Sequence, residues 1–230
     1  VVVGGVRRSA MISLSNLSDD RMRHAKSGDW YVLNPQRALA NNSVAYTEKP
    51  DMETFLREWT ALVESKSGER GIFSRVAAKR QVAKNGRRDP DHDWGTNPCS
   101  EILLRPNEFC NLTEVVARSN DTLETLTEKV ELATILGTIQ ATYTKFPYLR
   151  KIWQKNTEEE RLLGVSMTGI MDCKLISTSK GAAEILEKLK NVAIETNEVY
   201  AKKFDIPVSA AITCVKPSGT VSQLVDSASG

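Results

Sequence analysis

The chain is short of the residues that most often declare a chemistry. Its 230 residues include two histidines, His24 and His92, and four cysteines, Cys99, Cys110, Cys173 and Cys214. So few cysteines cannot staple a secreted disulfide scaffold, and none stand in the close pairs of a zinc ribbon, so no metal is expected. No run approaches the eighteen or so consecutive apolar residues of a membrane span, and no charged-then-apolar leader opens the sequence. The expectation is a cytoplasmic protein with no membrane partner. An excess of one charge is missing too: 31 basic against 29 acidic side chains leave a formal charge of +2. That balance gives no electrostatic footprint for nucleic acid, so an anionic ligand must be met by local geometry. Repeats, low-complexity segments and linkers are also missing, which leaves one domain, or part of one, as the simplest reading. The chain opens on "VVVGG" without an initiator Met and stops at "VDSASG", which reads as an internal piece of a longer protein.

What is present alternates between strands and amphipathic helices. "VVV" and then residues 9–14 read as strands around a glycine turn that carries Arg7 and Arg8 at its exit. From Asp51 to Ser65, Phe55, Leu56, Trp59, Leu62 and Val63 recur at helical spacing, which predicts a core-facing stripe. Asp121 with Glu124, and Thr157 with Glu160, fit the spacing of helix starts in which cap and third residue satisfy each other's backbone. The first of these helices should bury Leu126, Val130, Ile135, Leu136 and Ile139. A further helix over residues 181–203 carries Ile185, Leu186, Leu189, Val192 and Val199 on one side. The apolar "AAITCV" then runs into "KPSGT". This alternation predicts an α/β fold with parallel strands.

Two stretches could carry chemistry. In "NPCSE", Asn97, Cys99 and Glu101 alternate at i, i+2, i+4, which on an extended segment puts all three on one face. A carboxylate beside a thiol opposes thiolate formation, so an ionic cysteine nucleophile is disfavoured. A neutral thiol that gives up a hydrogen atom is compatible with that neighbour. Cys110 stands eleven positions on, close enough for a structural disulfide with Cys99 only if the intervening loop folds back. The second stretch, "KPSGT", resembles an anion cradle: Gly219 permits close backbone approach, and Ser218 and Thr220 add hydroxyls. It lacks the Walker pattern, because Lys216 precedes the glycine. "DPDHDWG" invites a calcium reading but fails it, since its glycine comes one position late and Ser100 stands where the bidentate carboxylate belongs. Cys173 and Cys214 read as small buried hydrophobes.

Taken in order, "GGVRRSA", "NNSV" at 41–44, "GERGIFSR", "NPCSE", "FCNL" and "KPSGTVS" resemble the catalytic subunit of ribonucleotide reductases across nearly the whole chain. The Asn-Pro-Cys form is more similar to the adenosylcobalamin-dependent class than to the oxygen-dependent class. The resemblance implies a ten-stranded α/β barrel of two half-barrels, of which residues 1–230 would be the central part, with the radical cysteine on a finger loop. It implies that Cys99 becomes the thiyl radical that removes the 3′ hydrogen of a ribonucleotide. Glu101 would act as general base toward the 3′ hydroxyl, and Asn97 would hold the sugar. Cys110 would be half of the reducing dithiol, with its partner upstream of Val1. Pro217, Ser218, Gly219, Thr220 and Ser222 would bind the substrate phosphates, and Arg7 would contact substrate from a specificity loop. Adenosylcobalamin is the implied cofactor, and the implied partners are a ribonucleoside di- or triphosphate, a deoxynucleotide or ATP effector and a thioredoxin-like reductant. Two alternatives stay open: the large subunit of an oxygen-dependent reductase, and a non-enzymatic phosphate-binding or redox-sensing module.

Overall fold

The computed structural model of the chain describes residues 11–178 and 180–228. The "VVV" strand and the Arg7–Arg8 turn lie outside the described residues. The chain divides into two compact units, residues 1–106 and 107–230.

The first unit is built on three parallel strands in the order β1-β2-β3: β1 Met11–Ser15, β2 Ala40–Tyr46 and β3 Gly71–Ser74. Short helices α1 (Asp20–Arg23) and α2 (Trp30–Leu33) connect the first two, and α3 (Met52–Ser65) connects the second and third. Parallel neighbours need such crossovers, and helices supply them. Helix α4 (Arg75–Val82) follows, capped by the Ser74 hydroxyl accepting from the Ala77 amide. The unit ends in an antiparallel hairpin of β4 (Gly95–Thr96) and β5 (Leu103–Leu104). Ala45, Phe73, Ala78, Val82 and Trp94 form its core, with Leu14 and Leu103 packed against them.

Helix α3 begins at its expected place, where the Asp51 carboxylate accepts from the Thr54 amide. Its buried face is not the expected one. Leu56, Trp59 and Val63 are exposed, whereas Glu58 and Ala61 are buried. The reason is electrostatic. Glu58, 4% exposed, accepts from Arg23 Nε at 2.6 Å and from Arg70 Nε and Nη2 at 3.0 and 2.8 Å. A carboxylate that joins two buried guanidiniums must face inward, and it rotates the apolar stripe outward.

The second unit pairs β6 (Asn111–Val116) with β7 (Leu163–Thr168) in parallel, and residue Thr213 extends the sheet through a parallel bridge to Val165. Between the strands run α5 (Leu123–Gln140) and α6 (Lys151–Glu160); after β7 come α7 (Lys174–Ser177), α8 (Ala182–Lys203) and the four-residue α9 (Val221–Leu224). Leu126 and Val130 of α5 pack with Val115, Leu163 and Val165 of the sheet and Leu189 and Ala193 of α8. Gly137 lets α5 lie close, since a Cβ there would meet Leu163 Cδ2 at 3.3 Å.

Three local features differ from the sequence expectation. The cap of α5 is Thr122 with Thr125, while Asp121 instead accepts from Arg118 and Lys129. Thr157 and Glu160 end α6 rather than start a helix, because Arg161 takes the left-handed conformation after them. The inward residues of α5 are Leu126, Val130, Thr134, Gly137 and Thr138, so Leu136 and Ile139 face outward. Polar residues are tolerated there because each finds a partner. The Thr134 and Thr138 hydroxyls donate to carbonyls one turn back, and Asn197 of α8 donates to Thr138 Oγ1 and Ser209 Oγ.

Candidate functional site

In the first unit the cysteine stretch is a hairpin tip, not an extended segment. Residues 97–100 form a β-turn in which the Ser100 amide donates to the Asn97 carbonyl at 3.0 Å. Pro98 takes the second position, for which its fixed φ is suited, and Cys99 the third. Ser100 then adopts φ 66°, and the Asn97 amide donates to the Ile102 carbonyl at 3.3 Å, closing the loop. The expected alternation of Asn97, Cys99 and Glu101 on one face therefore does not hold. A turn carries them instead. Cys99 lies exposed at its tip, with Glu101 half-buried on the returning limb.

Asn97 carries part of this geometry in its side chain. Its Oδ1 accepts from the Ile102 amide at 3.1 Å and from Thr96 Oγ1 at 3.4 Å. The carbonyl end is thereby committed to the turn, and the Nδ2 end is the one that can serve a ligand, as a donor. A second amide reaches the turn from the sheet: Asn41 Nδ2 on β2 donates to the carbonyl of Pro98, the residue before Cys99. "NNSV" is part of the resemblance, but nothing in its spacing signals this contact across 57 positions.

The loop before the hairpin is held by charge and by an aromatic ring. Arg75 pairs with Asp93 at 3.2 Å and Lys79 with Asp91 at 3.8 Å, so cations answer these acids. Among the described residues no cluster could hold a metal ion. Trp94 is fully buried, donates from Nε1 to the Pro90 carbonyl at 3.2 Å, and lies under Arg88 at 4.3 Å. This ring anchors the hairpin limb just ahead of β4.

The second unit holds Cys110 and the Pro-Ser-Gly-Thr turn. Cys110 is half-buried just ahead of β6, and all four cysteines carry thiols rather than disulfides. Cys173 is 1% exposed, as expected, whereas Cys214 is only half-buried beside the bridge to β7. Ser218 is buried with its Oγ 2.6 Å from Thr168 Oγ1 at the end of β7. Pro217, Gly219 and Thr220 are exposed. The amides of Gly219 and Thr220 donate to no acceptor among the described residues. A Cβ on Gly219 would meet nothing within 4 Å, so the turn opens onto free space beside those amides. Ser222 does not share that opening: it is fully buried and its hydroxyl donates to the Gly219 carbonyl at 3.4 Å. It shapes the turn from behind.

One group here was not singled out from the sequence. Glu114 lies in the middle of β6, and its Oε1 is buried without a hydrogen-bond partner. Burial raises its pKa above the usual carboxylate range, and the Lys216 ammonium opposes that rise. A glutamate inside the apolar run "NLTEVV" was the available signal.

No family model matches the chain. Among curated proteins it is similar over its whole length to adenosylcobalamin-dependent ribonucleoside-triphosphate reductases. It is 29% identical over 259 residues to that of Lacticaseibacillus paracasei, 30% over 267 to that of Lactobacillus acidophilus and 28% over 262 to that of Lactobacillus leichmannii. The chain spans 34% of the length of each. Among solved structures it is similar to the crystal structure of a B12-dependent (class II) ribonucleotide reductase. The TM-score is 0.72 at 24% identity, covering 95% of this chain and 34% of that one, and this shows a shared α/β fold.

Proposed function

We propose that the chain is the central part of an adenosylcobalamin-dependent ribonucleotide reductase, within a ten-stranded α/β barrel, and that it converts ribonucleotides to 2′-deoxyribonucleotides through a radical on Cys99. The observation that carries the reading is the cysteine turn: a thiol held exposed at the third position of a β-turn, pinned on one side by Asn97 and on the other by Asn41. The ordered motifs and the whole-chain similarity to reductases support it.

In this reading the Cys99 sulfur radical takes the hydrogen atom from C3′, becoming a thiol and leaving a carbon radical. Glu101 accepts the 3′ hydroxyl proton, and the 2′ hydroxyl departs as water. Cys110 and a second thiol give up two electrons and two protons and become a disulfide, so that ribonucleotide and dithiol yield deoxyribonucleotide, disulfide and water. The external reductant, of thioredoxin type, then restores the dithiol. Asn97 donates from Nδ2 to the sugar, and the Gly219 and Thr220 amides take the phosphates, with Pro217 and Ser218 framing the turn. Arg7, outside the described residues, contacts the substrate from the specificity loop that answers to a deoxynucleotide or ATP effector. Adenosylcobalamin, when bound, supplies the radical that Cys99 receives, and the exposed thiol fits a bulky cofactor that must approach it. In this reading the protein works in the cytoplasm, where its nucleotide substrates are. Among the described residues no helix is long and apolar enough to cross a membrane.

Two variants test the parts separately. Asn41→Ala removes the pin from the Pro98 carbonyl. It is expected to slow product formation by about a hundredfold, the cost of a misplaced reacting group. KM for the nucleotide should change little, and alkylation of Cys99 by iodoacetamide should accelerate. An unchanged kcat and alkylation rate would show that the turn holds itself. Gly219→Val adds a side chain where the fold has room. Its melting temperature should match the parent, while KM for the nucleotide rises roughly tenfold or more, because hydrogen bonds to phosphate are blocked. An unaltered KM would remove the turn from the phosphate site.

A further inference from the structure

The β6–β7 sheet has two unlike faces. Thr113, Val115, Leu163 and Val165 point toward α5 and the core. Side chains alternate along a strand, and register partners share a face. The opposite face therefore carries Glu114 and Val116 from β6, and Ser166 and Thr168 from β7, because Glu114 pairs with Ser166 and Val116 with Thr168. Lys216, three residues beyond Thr213, joins this face: its amide donates to Ser166 Oγ at 3.0 Å, and its ammonium acts on the Glu114 carboxylate.

These residues fall in levels along the strands. Thr168 with Ser218, at the proposed phosphate turn, marks the upper level. Glu114, Ser166 and Lys216 lie one pleat below, about 6.6 Å at 3.3 Å per residue. Cys110 precedes the first residue of β6, on the other side of Glu114 from the turn. A nucleotide with its phosphates at the turn and its sugar directed toward the dithiol passes the middle level with its ribose. At that level stands Glu114 Oε1, buried and without a donor. A buried acceptor left unpaired is costly, and a ligand that brings a donor removes the cost. Phosphate brings none at neutral pH, whereas a sugar hydroxyl does.

We infer that Glu114 is a further substrate-binding residue, whose Oε1 accepts a hydrogen bond from a ribose hydroxyl of the bound nucleotide, with Lys216 as its counter-charge. The inference rests on the nucleotide reading of the site above.

The test is equilibrium binding of CTP and of 2′,3′-dideoxy-CTP to the intact protein and to its Glu114→Ala and Glu114→Gln variants. The parent protein should prefer CTP. In Glu114→Ala that preference should fall about tenfold or more, as expected for a hydrogen bond to a charged acceptor. Glu114→Gln keeps the shape and a carbonyl acceptor, so it should fold like the parent and lose less of the preference. A preference unchanged in both variants would overturn the inference while leaving the nucleotide reading intact. A parent protein that binds neither nucleotide would overturn both.

Discussion

Replacing Cys99 with serine is expected to abolish deoxynucleotide formation, by more than about a thousandfold, because the step it removes has no substitute in the site. The serine O–H bond is far stronger than the thiol S–H bond, so the oxygen cannot hold the radical that takes the 3′ hydrogen. The fold should not notice the change. Cys99 is exposed at the tip of the turn, and its side chain packs against no core. Folding free energy should change by no more than about 0.5 kcal/mol, the range of surface substitutions, and nucleotide affinity should persist. Cys110→Ser separates the roles. With one thiol of the dithiol gone, product formation should fail while the step at Cys99 remains competent, which a 3′-tritiated substrate reports as label lost to solvent. A Cys99→Ser protein that still turned over would place the chemistry elsewhere.

The largest expected effect on stability comes from Glu58. Its carboxylate joins Arg23 and Arg70, whose side chains are 8% and 1% exposed. Removing it in Glu58→Ala leaves two guanidiniums buried without their shared counter-charge. The cost should be about 3–5 kcal/mol, read as a lower denaturation midpoint with unchanged denaturant dependence. The same group predicts an acid limb. Burial pushes the Glu58 carboxyl upward, but its hydrogen bonds and attraction to Arg70 and Arg23 prevail, and its pKa lies below the ordinary 4.5. A carboxylate lowered in the folded state contributes stability that is complete above the unfolded value. That stability drains as pH falls below 4.5 toward and through the lower folded value. Glu58→Ala should lack that limb. A parent and variant with parallel pH profiles would show that the pair contributes nothing net.

The parallel α/β character was legible because strand and helix periodicities differ, and α3 and α8 begin within a residue of their expected starts. Their buried faces were harder to read. In α3 a glutamate, not an apolar side chain, decides the rotation, and the arginines that make this possible are 35 and 12 positions away. Asn97, Cys99 and Glu101 were expected on one face of an extended segment, and the backbone there is a turn. Pro98 followed two residues later by Ser100 with a positive φ makes a turn where alternation suggested a strand. The contact of Asn41 with Pro98, and the attraction of Lys216 for Glu114, join distant segments through tertiary placement, and no local pattern encodes them.

The most direct test uses the intact protein with a dithiol reductant, CTP or CDP, and adenosylcobalamin either present or withheld, with Cys99→Ser as control. Deoxycytidine nucleotide formed only with adenosylcobalamin, and lost in Cys99→Ser, is the predicted result, and the substrate consumed fixes the phosphate preference. Deoxynucleotide formed without adenosylcobalamin once a separate metal-bearing subunit is supplied would contradict the account.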